Sequence, residues 1–100
     1  MRLQEYLTEG DDFFNKTVKK LKKMTNDNDH TNALALGLEL IGLDPEAKRA
    51  RALSIKVDKA GGYSPGDPLA KEKDKLYRLM MTTAKRELKN SDFIRFYGAF

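Results

Sequence analysis

The sequence predicts an all-α protein, a small helical bundle of about four main helices with short helices at its ends. Apolar residues recur at helical spacing along the whole chain, and Gly, Pro and Asp residues mark the ends of the periodic segments. Only Leu53–Val57 alternates as a strand would, and a helical pattern covers that stretch equally well. With 100 residues, the chain has the length of one domain.

Two helices are predicted near the N-terminus. The first is short and amphipathic, covers residues 2–9 and ends at Gly10. A single helical domain over residues 11–100 follows, and its first helix runs to about Met24, with Asp11 and Asp12 placed to cap it. The apolar face of this helix consists of Phe14, Val18 and Leu21, flanked by Phe13 and Met24.

The next helix is predicted to lie at the centre of the bundle. Polar residues 25–31 form a loop, and Asp29 or Thr31 can cap a helix that extends through Ile41. This helix is apolar on most sides, which is typical of a helix packed by several partners. Its two apolar faces consist of Leu34, Leu38 and Ile41 on one side and Leu36 and Leu40 on the other.

Two Asp-Pro pairs predict the starts of the remaining long helices. Asp44 and Pro45 begin a helix that ends at Gly61, with a buried stripe of Ala47, Ala50, Leu53 and Val57. Asp67 and Pro68 begin a helix over about residues 68–89, with Leu69, Leu79 and Thr83 beside its core positions, which are Leu76, Met80, Ala84 and Leu88. Ser91 is predicted to cap a terminal helix rich in aromatic residues.

The sequence offers little catalytic chemistry, so we expect no enzyme, no metal and no cofactor. Cysteine is absent, which excludes disulfides and thiolate ligands. The single histidine, His30, lies in a polar loop, and an active site would have to bring it together with Asp27 and Asp29. The longest apolar stretch, Ala33–Leu38, is too short for a membrane span, and no signal peptide is predicted.

The charge of the chain alternates in blocks. Residues 1–12 and 25–43 are acidic, whereas residues 13–24 carry five lysines and no acid, and the formal net charge of the whole chain is +4. Two interpretations stay open: a solvated or intramolecularly paired face, or a patch that binds phosphates without sequence specificity. The candidate nucleic-acid-binding residues are Lys16, Lys19, Lys20, Lys22, Lys23, Arg49 and Arg51.

The C-terminal segment is the second candidate site, because aromatic side chains dominate many protein interfaces. Its candidate interface residues are Phe93, Phe96, Tyr97 and Phe100. One interpretation is a terminal helix that packs on its own core, and the other is an exposed anchor that inserts into a partner subunit.

The first ten residues resemble the leader of internal head proteins of T4-like tailed bacteriophages. Such leaders start with Met and a basic residue, form a short amphipathic helix and close with Leu or Ile, any residue, and Glu. Here Leu7, Thr8 and Glu9 match the closing tripeptide and Gly10 follows. The resemblance implies cleavage after Glu9 by a head-maturation protease, while an ordinary first helix would pack Leu3, Tyr6 and Leu7 on the core or on a partner.

These observations together predict a small non-enzymatic phage protein that is associated with the virion. It would act through helix-mediated contacts with capsid or scaffold subunits, or with a second copy of itself, and its basic faces would lie near DNA. The alternative is a phage-encoded regulator or inhibitor that binds a host protein or nucleic acid. The expected location is the virion or the host cytoplasm.

Overall fold

A computed structural model describes residues 11–64 and 66–100, and this part of the chain forms five helices and no strand. The prediction of a small all-α bundle is confirmed, and the alternating stretch Leu53–Val57 is helical. The helices are α1 (Asp11–Asn26), α2 (His30–Leu40), α3 (Asp44–Ala60), α4 (Pro68–Glu87) and α5 (Asn90–Gly98). The predicted helix over residues 2–9 lies outside the described residues.

Helix α2 lies at the centre of the bundle, as predicted. It contacts α1, α3 and α4, and its buried residues are distributed around its circumference. Ala33 and Leu38 are completely buried, and Leu34 and Leu40 are nearly so. A helix that is apolar on most sides gains stability only when several neighbours cover it, which explains why three other helices pack against this one.

The predicted apolar stripes of α3 and α4 face the core. Ala47, Ala50, Leu53 and Val57 are all buried on α3, and α4 buries its four predicted positions from Leu76 to Leu88. Spacing of three or four residues places such side chains on one face of a helix, so each stripe packs against its neighbours as a unit. Leu79, which lies beside the α4 stripe in the sequence, is 42% exposed.

One of the predicted helix caps is confirmed. The Asp67 carboxylate accepts a hydrogen bond from the Leu69 backbone N–H at 3.0 Å, and Pro68 occupies the first helical turn. Asp29 holds the N-cap position of α2, but its Oδ1 accepts from Asn32 Nδ2 instead of from the backbone. Of the four helices from α2 to α5, only α4 therefore begins with a side-chain cap.

The predictions that Asp44 and Ser91 cap their helices are wrong. Helix α3 begins at Asp44 itself, because the Ala47 N–H already donates to the Leu43 carbonyl at 2.9 Å. In the same way α5 begins before Ser91, since the Phe93 N–H donates to the Lys89 carbonyl at 2.8 Å. An added backbone hydrogen bond at the start of each helix moves the cap position upstream.

The C-terminal helix is joined to the end of α1. Thr25 Oγ1 donates a hydrogen bond to the Ala99 carbonyl at 2.9 Å, across 74 positions of sequence. This contact brings α5 beside the lysine-bearing helix. No helix of the described residues combines the length and apolarity required to cross a bilayer.

Candidate nucleic-acid interface

The five lysines of α1 form one continuous exposed surface, here called the lysine face (Lys16, Lys19, Lys20, Lys22 and Lys23). All five are exposed, whereas Phe14 and Leu21 on the opposite side of the helix are buried in the core. At about 100° of rotation per residue, the five positions span about 160° of the helix surface. The sequence produces this segregation because apolar and basic residues alternate at helical spacing.

No carboxylate of the described residues forms an ion pair with the lysine face. The ion pairs within residues 11–64 and 66–100 involve arginines alone: Arg51 with Glu39, Arg86 with Glu87 and Arg95 with Asp92. An unpaired cluster of ammonium groups repels itself, and anions near the surface relieve that repulsion. Intramolecular pairing of the lysine face finds no support among the described carboxylates, and a solvated face and a phosphate-binding patch both stay open.

Arg49 and Arg51, the other two predicted phosphate contacts, lie on α3, apart from the lysine face. Arg51 is engaged by Glu39 of α2, with the two side chains about half exposed. Arg49 lines a separate cleft of about 490 Å³ between α3 and α4, together with Lys71, Lys75 and Glu72. The structure therefore does not bring the seven predicted residues into one site.

A second cleft, here called the α1–α5 cleft, adjoins the lysine face. It has a volume of about 470 Å³, and its walls are Asn15, Val18, Lys19, Lys22, Arg95, Gly98 and Ala99. The sequence did not identify Arg95 as a candidate phosphate contact, because Arg95 lies within the aromatic C-terminal segment. Its i, i+3 spacing from Asp92 indicates a helical ion pair, but only tertiary packing places it beside α1.

The prediction that Phe96 contacts a partner is wrong. Phe96 is completely buried, and its ring packs edge-on against Phe100 with centroids 5.3 Å apart. Phe100 also packs at 81° to the ring of Tyr77, at 6.1 Å. The apolar stripe of a short terminal helix is covered most easily by the protein's own core, and α5 is packed in this way.

The remaining aromatic residues of α5 face outward to different degrees. Phe93 is half-buried, and its ring lies 6.0 Å from that of Tyr97, which is 57% exposed. Ile94, one turn away from Tyr97, is 60% exposed. Of the predicted interface residues on α5, Tyr97 is therefore exposed and Phe93 is half-buried.

The predicted contacts Leu3, Tyr6 and Leu7 and the cleavage position Glu9 lie outside the described residues.

A polar cleft of about 380 Å³ lies at the start of α2 and brings Asp29 and His30 together, whereas Asp27 does not line it. Tyr63 closes one side: its hydroxyl shares a hydrogen bond with Thr31 at 2.6 Å, and Lys73 Nζ lies 5.1 Å from its ring centroid. Burial raises the pKa of Tyr63 above its ordinary value, and the Thr31 hydrogen bond opposes that rise. Within the described residues, no group of three His, Asp or Glu side chains is placed to hold a metal ion.

Comparison with known proteins does not identify a relative. Neither the protein-family models, nor the curated proteins, nor the solved structures contain a match to this chain.

Proposed function

We propose that this protein is a non-catalytic phage protein of the virion, which binds the DNA backbone through the lysine face and contacts other protein subunits through its helices. The observation that carries the proposal is the exposed lysine face, which has no ion-pair partner among the described residues. Phosphates at regular spacing along a duplex are natural counter-charges for such a helix surface.

Binding by the lysine face is expected to be independent of DNA sequence and sensitive to salt. Lysine presents a flexible point charge, and contacts to phosphate carry no direct information on base sequence. If about four lysines reach phosphates of one duplex, the affinity falls about 100-fold between about 50 and 200 mM monovalent salt. A weak dependence on salt would contradict backbone binding.

Two variants with the same loss of charge test the proposal. In the first, Gln replaces the five lysines of the lysine face. In the control, Gln replaces five exposed lysines on other helices: Lys48, Lys56, Lys59, Lys75 and Lys85. Fluorescence anisotropy with a labelled DNA duplex should show loss of binding in the first variant and a loss of about threefold or less in the control. Equal losses would mean that net charge alone attracts DNA.

The assignment to a virion depends on the N-terminal resemblance. If Leu7, Thr8 and Glu9 close a leader, mass spectrometry of the protein from purified particles should find a chain that begins at Gly10. A full-length chain in the particles would contradict the leader, and absence from the particles would contradict the virion assignment.

The second candidate function is a regulator that binds a host protein. The observation in its favour is the exposure of Ile94 and Tyr97 on adjacent turns of α5. Exposed apolar and aromatic side chains at one turn's spacing are typical of helix-mediated recognition. This candidate predicts that Tyr97→Ser abolishes a protein contact, whereas replacement of the lysine face leaves that contact intact.

A further inference from the structure

We propose that Arg95, together with Lys19 and Lys22, forms a seat in the α1–α5 cleft for one phosphate group of the DNA backbone. The inference rests on the proposed function and deepens it, because it assigns one residue outside the lysine face as the contact that recognises phosphate geometry. The three cations come from two helices that are far apart in sequence and meet at one cleft.

The guanidinium of Arg95 is held in place before any ligand binds. Its Cζ lies 5.4 Å from the ring centroid of Phe14, a core residue that is only 2% exposed. The Asp92 carboxylate forms an ion pair with the Arg95 guanidinium, with 3.5 Å between Oδ1 and Nη1. A planar cation fixed against a buried ring loses little conformational entropy on binding, yet the Arg95 side chain remains 45% exposed and accessible.

The cleft contains more hydrogen-bond donors than acceptors. Asp92 engages Arg95, but no described carboxylate pairs with Lys19 or Lys22. Asn15 also lines the cleft, and its Oδ1 is buried without a hydrogen-bond partner. A tetrahedral oxyanion has the acceptors that this set of donors lacks.

Helix dipoles explain part of this arrangement but not all of it. Cations are favoured in the last turn of a helix, which accounts for Arg95 in α5. The dipoles do not account for Lys19 and Lys22, which precede the last turn of α1, nor for the meeting of all three cations at one cleft. The Arg95 fork matches two phosphate oxygens, and the two lysines that line the same cleft neutralise the remaining charge.

The test compares two pairs of lysines on the same helix. Lys19→Gln with Lys22→Gln removes two cations from the cleft, and Lys16→Gln with Lys20→Gln removes two from the lysine face outside it. In anisotropy with a DNA duplex, the cleft pair should lose about tenfold in affinity and the matched pair about threefold. Arg95→Lys keeps the charge but removes the fork, and it should lose about fivefold. Far-UV circular dichroism and the melting temperature verify that each variant is folded.

Each outcome has a definite meaning. Equal losses from the two lysine pairs, with no effect of Arg95→Lys, would overturn the seat and leave the proposed function standing. If the native protein binds no DNA at low salt, the proposed function is wrong. Titration with inorganic phosphate then tests separately whether the α1–α5 cleft binds a phosphate group. Amide shifts of Gly98 and Ala99, present in the native protein and absent in Arg95→Gln, support the seat; no shifts in either protein would overturn it.

Discussion

Gly37 and Phe100 meet at a distance that leaves no room for a β-carbon. An ideal Cβ on Gly37 would lie 2.7 Å from Phe100 Cζ and equally close to the sulfur of Met80. The glycine thus allows the C-terminal ring to lie directly on the backbone of the central helix. This contact, with the hydrogen bond from Thr25 to Ala99, fixes the end of the chain against the core.

The first prediction concerns this contact. Gly37→Ala should lower the free energy of unfolding by about 1 kcal/mol, because the displacement of Phe100 and Met80 outweighs the gain in helix propensity. The control is Gly98→Ala, since nothing lies within 4 Å of a Cβ at that position. Urea denaturation should show the control to be unchanged or slightly more stable. A stabilised Gly37→Ala would contradict the close approach.

The second prediction separates the core residue of α5 from its exposed neighbour. Phe96→Ala should destabilise the protein by about 3–4 kcal/mol, because it removes a fully buried ring. Tyr97→Ala, at 57% exposure, should change stability by less than about 1 kcal/mol. Thermal denaturation measures both effects. Comparable losses of stability for the two variants would show that the Tyr97 side chain is buried in solution. Sedimentation would then test whether self-association buries it.

The third prediction tests the helix starts. Asp67→Ala removes the carboxylate that accepts from the Leu69 N–H, and it should lower stability by about 1 kcal/mol. Ser91→Ala should have almost no effect, because Ser91 is exposed and lies inside α5, where it caps nothing. Chemical denaturation of the two variants provides the comparison. A large loss for Ser91→Ala would restore the cap that the sequence predicted.

The fourth prediction concerns Tyr63 at high pH. Burial raises the pKa of Tyr63 in the folded protein above its value in the unfolded chain, so its contribution to stability is complete below about pH 10. That contribution is lost as the pH rises through the folded pKa. Near-UV absorbance should show two late-titrating tyrosines, Tyr63 and Tyr77, because burial raises the pKa of both, and one of the two should be missing in Tyr63→Phe. Thr31→Val removes a hydrogen bond that favours the ionised hydroxyl, and should raise the pKa further.

Most of the fold could be predicted from the spacing of apolar residues along the chain. The stripes from Ala47 to Val57 and from Leu76 to Leu88 are buried as their periodicity indicated, because one face of a helix has one environment. Errors arose at the helix starts, where Asp44 and Ser91 both have the right chemistry for a cap. Backbone hydrogen bonds to the Leu43 and Lys89 carbonyls, one and two residues upstream of the predicted caps, decided those positions, and residue preference does not reveal them.

The candidate site could be predicted only in part. The lysine face is a local property of α1, so it was visible in the sequence. Two other features depend on contacts between different helices. Arg51 pairs with Glu39 and lies apart from the lysine face, and Arg95 packs against the ring of Phe14. Aromatic spacing likewise could not tell Phe96, which is buried, from Tyr97, which is exposed.

The sequence by itself determined that this chain is helical, that α2 is its central helix and that α1 carries its cations on one side. These properties follow from periodicity, which acts within a single helix. Only the tertiary structure decided which surfaces meet: Phe100 on Gly37, α5 against α1, and Arg95 beside Lys19 and Lys22. The physical reason is that contacts between helices depend on shape and packing across long stretches of chain, and local patterns do not encode them.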